Sequence, residues 1–180
     1  MKTAESTTAF SDPTKNIEQC GVQAGMDIAD LGAGSGFYTI AAAKALMSTG
    51  RVYAIDAQKD LLSKLKNEAT RQGLYNVEVI WGDLDKVNGT KLRDACVDLG
   101  LVCNVLFQLE NRKGLVSEVK RILKPTGRVL VVDWSDSGDL GPEKTVSKES
   151  VVKMFEKEGF HLDREIKAGS HHYGLIFKKL

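Results

Sequence analysis

Cysteine is scarce in this chain, and Cys20, Cys96 and Cys103 are scattered without any CxxC spacing. An odd, dispersed set of this kind forms neither a disulfide framework nor a zinc site, so no metal is expected, and it suits a reducing compartment. An excess of either charge is also missing: 25 Lys and Arg face 24 Asp and Glu, a net charge of +1. No block of like charge stands out, so nothing announces nucleic acid or an anionic membrane as a partner, although a local patch is compatible with a neutral total. Nowhere do about twenty apolar residues run together, which excludes a bilayer-spanning helix. The start, MKTAESTTAFSDP, lacks the apolar core of a signal peptide. Internal repeats and low-complexity tracts are absent too. What is present is ordinary: 180 residues, 42% hydrophobic and 27% charged, enough for one domain burying roughly 70% of its unfolded surface. The expectation is a cytoplasmic single domain over 1–180, with a loose N-terminal segment at 1–12.

Two hydrophobic periods alternate along the chain. Short β-rich runs fall at Met26–Leu31, Arg51–Ile55, Val77–Trp81, Val97–Cys103, Arg128–Asp133, His161–Ile166 and Tyr173–Phe177. Between most of them lie helical stripes. Leu61, Leu62, Leu65 and Ala69 share a face before Gly73. Leu115, Val116, Val119, Ile122 and Leu123 form another, ended by Pro125 and Gly127. Val151, Met154 and Phe155 form a third, opened by a Ser147 cap and closed at Gly159. Regular alternation of this kind predicts an α/β fold on a parallel sheet. Only Lys167–His172 separates the last two strands, too short for a crossover, so they should pair antiparallel.

The most informative run is Asp30-Leu31-Gly32-Ala33-Gly34-Ser35-Gly36, between the first strand and a helical stretch at Ala41–Leu46. Glycines there let backbone turn tightly and approach a ligand. The dinucleotide fingerprint, however, wants a third Gly or Ala where Phe37 stands. Asp30, at the strand tip, would repel a pyrophosphate and attract an ammonium. Asp56 ends the second strand, where an acid can take both ribose hydroxyls. A ligand with a ribose, a positive charge near the loop and no phosphate is implied, and S-adenosylmethionine fits that description. The alternatives are a bare structural turn for the glycines and a helix cap for Asp30.

From about Phe10 onward the sequence resembles the class I S-adenosylmethionine-dependent methyltransferases. DLGAGSG is similar to the family's first motif, and AIDA, with Asp56 and Ala57, to its ribose-binding second. Trp81-Gly82-Asp83-Leu84 is similar to the third, in which Asp83 would reach the adenine amino group and Leu84 its ring face. DLGLVCNVLF, with Asn104 just past the strand, is placed like the fourth, and LKPTGRVLVVDW resembles the fifth strand with its preceding turn. The resemblance implies a Rossmann-like seven-stranded sheet of order 3-2-1-4-5-7-6, its last strand antiparallel, with helices on both faces. It also implies S-adenosyl-L-methionine as cofactor, held by Asp30, Gly32, Ala33, Gly34, Gly36, Asp56, Ala57, Gly82, Asp83, Leu84 and Asn104. The tail GPEKTVSKESVVKMFEKEGF and the final HHYGLIFKK look most like a small stand-alone branch related to quinone-biosynthesis methyltransferases.

Several residues keep two readings. Asp83 is either an adenine ligand or an ordinary loop acid. Asn104 meets either the methionine part or the substrate rim; neither proline of an Asn-Pro-Pro-aromatic motif follows it, which argues against methylation of planar nitrogens. His171 and His172, expected at a sheet edge, suit structural or solvent roles better than metal or base roles, as does His161. Cys103 reads as a buried core thiol. Phe10 either folds over the cofactor or plugs the core. Asp133, Trp134 and Glu110 lie near strand ends where they could face a substrate, but no residue earns a catalytic assignment. The polar, Gly- and Pro-bearing Ser135–Thr145 segment is placed to be a lid or a plain connection. A small-molecule acceptor fits the neutral charge and the lack of an added recognition domain. An RNA or protein methyltransferase, or a cofactor-binding protein without catalysis, remains open.

Overall fold

The computed structural model describes residues 11–135 and 141–180. Helix α1 (Pro13–Gln19) leads into β1 (Asp27–Leu31), α2 (Phe37–Ala45), β2 (Arg51–Asp56), α3 (Lys59–Arg71) and β3 (Val77–Trp81). After β4 (Val97–Cys103) comes a 3-10 turn at Leu106–Gln108, then α4 (Arg112–Ile122), β5 (Leu123–Trp134), α5 (Lys148–Lys157), β6 (Phe160–Ile166) and β7 (His172–Lys179). The seven strands form one sheet in the order β3-β2-β1-β4-β5-β7-β6. All neighbours pair parallel as far as β5, and β7 pairs antiparallel with both β5 and β6. The α/β class, the strand order and the antiparallel end all stand as expected.

Both faces of the sheet are covered, which is why β5 reads as an unbroken apolar run and not as an alternating one. Its Val129 and Val131 join α4 and α5 in one core cluster. Leu130 and Val132 join α1 and α2 in the other. Local chemistry sets the helix starts. Asn111 accepts from Gly114 N–H at 3.0 Å, and Ser147 caps α5 as expected by accepting from Ser150 N–H.

Two local expectations need correcting, and helix α1 is an element beyond those expected: Asp12 accepts from Lys15 N–H and Pro13 stands at the first helical position, a recognised start signal. Leu123 belongs to β5 instead of α4: its backbone is extended and it pairs with Val97. Lys124 precedes Pro125, which disfavours helix at Lys124 as well. His172 does not lie at a sheet edge, because β7 runs between β5 and β6; its ring sits 4.3 Å from that of Trp134. Phe10, most of the 1–12 segment and residues 136–140 of the lid segment lie outside the described residues. The ends of that segment are tied down: Ser135 N–H donates to His171 O at 2.9 Å, and Tyr173 Oη donates to Val146 O at 2.9 Å.

Strand order reverses between β1 and β4, and in open α/β sheets the crevice at such a point, beyond the strands' carboxyl ends, is where ligands bind.

Candidate functional site

Beyond β1 the chain folds back onto β2. Gly32 and Ala33 both donate their N–H groups to Ile55 O, at 2.9 and 3.0 Å. Gly34 N–H donates to Asp56 Oδ2 at 2.9 Å, and Gln58 N–H donates to Asp56 Oδ1 at 2.8 Å. The carboxylate of Asp56 is thereby aimed before any ligand arrives, with lone pairs to spare. Gly32 has φ +82°, and a Cβ on it would sit 2.6 Å from Val105 Cγ2. Only glycine fits there.

A cavity of about 510 Å³ opens at this point. Its wall includes Asp30, Gly32, Ala33, Gly34, Asp56 and Asn104. A second cavity of about 200 Å³ adjoins it, sharing Gly32, Asp56, Gln58 and Gln108, and adding Ala57, Gly82, Asp83 and Leu84. Ten of the eleven expected residues therefore line one continuous cleft. Gly36 lines neither part. It stands at the N-terminus of α2 with φ +84°, where a Cβ would lie 2.1 Å from Leu65 Cδ1.

Asp30 is only 2% exposed and accepts from Thr39 Oγ1 at 2.6 Å. Burial pushes its carboxyl up to about 6, the Thr39 bond opposes this, and the charge of Asp56 adds to it. Asp30 reaches the first turn of α2 through Thr39, although the N-cap position itself is Gly36, and it also lines the larger cavity. Asp83 Oδ1 accepts from Asp85 N–H at 3.0 Å. Trp81 Nε1 donates to Ala57 O at 3.0 Å, tying β3 to the end of β2. Asn104 has φ +55°, held by its N–H donating to Val132 O at 2.8 Å. Among the described residues its buried Oδ1 has no hydrogen-bond partner.

Other lining residues were not singled out from the sequence. Tyr38 Oη lies 2.5 Å from Ser11 Oγ, and Asn16 Nδ2 donates to both hydroxyls, at 2.8 and 2.9 Å. This network closes α1 against the larger cavity. Cys103 is buried, as expected, yet it also forms part of the wall. Burial holds its thiol well above the usual range, with Asp30 adding to the effect, so it is a neutral, unreactive group. Asp133 and Trp134 line neither cavity, and Glu110 is exposed and also outside both. Asp30, Asp56, Asp83 and Asp85 make the walls acidic, and no Lys, Arg or His is among the described lining residues.

A family model described as "Methyltransferase domain" matches residues 23–175. The crystal structure of a SAM dependent methyltransferase from Aquifex aeolicus is similar at a TM-score of 0.87 and 28% identity, covering 98% of this chain and 94% of that one. Among curated proteins, the "Ubiquinone/menaquinone biosynthesis C-methyltransferase UbiE" of Burkholderia cenocepacia is 28% identical over 123 residues, 68% of this chain and 49% of that protein. The protein of the same name from Paraburkholderia xenovorans is 27% identical over 157 residues, 87% of this chain and 61% of that protein. The chain thus spans about half the length of the first of these relatives.

Proposed function

The chain belongs to the methyltransferase-domain family as a class I S-adenosylmethionine-dependent enzyme, and from that premise we propose that its acceptor is a small molecule held in the larger cavity. The observation carrying this reading is that the cleft continues past the glycine loop to Asn104, Cys103 and Tyr38. The names of the curated relatives, which act in quinone biosynthesis, support a small acceptor as well.

The residues present suit the cofactor's chemistry. Asp30, a buried acid on the cavity wall, would face the cofactor's ammonium, whose charge favours the carboxylate form. Asp56, pre-aimed by Gly34 and Gln58, accepts from the ribose hydroxyls. Gly82, Asp83 and Leu84 form the adenine wall, with Ala57 beside them. Asn104, on the wall of the larger cavity, would stand at the boundary between cofactor and acceptor. S-adenosylmethionine supplies a methyl group activated on a positively charged sulfur. The chain's own contribution is alignment and exclusion of water, as in-line displacement requires.

Incubation with methyl-labelled cofactor and fractionated cell extract tests the acceptor class. Label in the low-molecular-mass fraction supports the proposal. Label confined to RNA or protein fractions would reject it, and tight cofactor binding with no transfer into any fraction would favour a binding protein.

A further inference from the structure

One short turn after β4 contributes to both cavities, and it is gripped from behind by two opposite charges. Asn104 and Gln108 face the larger cavity, while Val105, Gln108 and Leu109 face the smaller. Leu106, at the centre of the turn, is fully buried and presents its backbone away from both. Its N–H donates to Asp133 Oδ2 at 3.0 Å. Its carbonyl accepts from Arg112 Nε at 2.7 Å, and Arg112 Nη2 reaches Phe107 O at 3.4 Å. The other oxygen of Asp133 accepts from Trp134 N–H at 2.8 Å. A carboxylate from β5 and a guanidinium from α4 thus hold the N–H and the carbonyl of one residue, on the two successive peptide groups that flank the Leu106 Cα.

Asp133 is 0% exposed, and a carboxylate so deeply buried is costly unless its hydrogen bonds are made. The geometry points to Asp133 as a positioning residue for methyl transfer. By holding the Leu106 N–H against the pull of Arg112, it sets the turn that aligns the nucleoside and acceptor cavities while touching neither ligand. This rests on the cofactor lying in the cleft as proposed above.

The groups facing Asp133 are Arg112 from α4, the Cys103 thiol from β4 and Tyr173 from β7, with Glu149 of α5 beyond Tyr173. The His172 ring lies against the neighbouring Trp134. Burial pushes the Asp133 carboxyl up to about 6, while its bonds to Trp134, Leu106 and Val105 and the charge of Arg112 oppose this. Protonation turns one of its acceptor oxygens into a donor facing an N–H, so the grip weakens as pH falls through that value.

Asp133→Asn makes the same change at every pH and removes the charge. Three quantities are compared with the wild type: calorimetric affinity for S-adenosylhomocysteine, hydrogen exchange at the Leu106 amide, and melting temperature. The expected result is affinity weaker by about tenfold, as for one charge-assisted hydrogen bond, with faster exchange at Leu106. The loss of affinity on lowering pH from neutral to about 5 should also shrink, the remainder belonging to Asp30. A lower melting temperature with unchanged affinity would make Asp133 merely structural and overturn the inference. Unchanged affinity with unchanged Leu106 exchange would overturn it as well. Should Asp133→Asn fail to fold, Arg112→Gln releases the carbonyl of the same residue, and unchanged affinity there overturns the inference equally. Failure of the wild type itself to bind would instead reject the cofactor placement, and this inference with it.

Discussion

Two segments shape the cleft, and they are built in opposite ways. The glycine loop after β1 is fixed through its backbone N–H groups: Gly32 and Ala33 donate to Ile55 O of the neighbouring strand, and Gly34 donates to the Asp56 carboxylate at that strand's end. The turn after β4 is fixed by side chains brought from elsewhere, Asp133 from β5 and Arg112 from α4. In the first case the residue types at the bend carry the geometry, because only glycine tolerates those angles and that approach. In the second, Asn104 alone carries a left-handed backbone, and the rest of the geometry depends on partners from distant parts of the chain. A loop of the first kind announces the whole of its geometry in sequence, whereas the second announces only Asn104.

Gly32→Ala strikes where the two segments touch and should have the largest effect. Its φ of +82° and the approach to Val105 together should cost about 2–4 kcal/mol of stability in denaturant melts. Adding Val105→Ala should recover part of that loss, and an absence of recovery would mean that the segments are independent. Asp56→Ala removes the acid that holds Gly34 and takes the ribose. It should weaken S-adenosylhomocysteine binding by about 1.5–3 kcal/mol in calorimetry; unchanged affinity would show the ribose acid to be misplaced.

Asp30→Asn acts in the opposite direction on the fold. Because burial raises the Asp30 carboxyl to about 6, the folded state holds more protons than the unfolded one between the ordinary carboxyl range and that value. Stability from this group is therefore present at low pH and lost as pH rises through about 6. The Asn variant should be more stable than the wild type at pH 7 by about 1–2 kcal/mol, after loss of part of the Thr39 bond. That difference should vanish toward pH 4, and cofactor affinity should fall in the same variant. Gln108→Ala should change least. Its side chain is exposed and reaches Asn104 O only at 3.4 Å, so stability should stay within about 0.5 kcal/mol while the acceptor's KM rises.

The same contrast explains what the sequence reveals. The inner parallel strands β1, β4 and β5 are legible because burial on both faces of the sheet produces short apolar runs. Asp30, Gly32, Gly34 and Asp56 are legible because their roles follow from position beside a strand end. Ser11, Asn16 and Tyr38 form one hydroxyl network on the cavity wall, yet no spacing rule links α1 to α2. Gln58 and Gln108 face the cleft as unremarkable polar residues. Asp133 reads as a substrate-facing acid, and only the fold shows it turned back onto Leu106. The start of α1 was available from Asp12 and Pro13, and would have placed Ser11 next to the site.

The acidic lining of the cleft also bears on the rate of cofactor exchange. Four aspartates without a basic neighbour among the described lining residues focus a negative potential at its mouth. S-adenosylmethionine carries one net positive charge, and its demethylated product carries none. The field therefore accelerates arrival of the charged donor and gives the neutral product no comparable pull. Turnover by its nature discharges the ligand, so the same four carboxylates that draw the donor in loosen their hold once the methyl group has left. Added salt should slow donor association far more than product association.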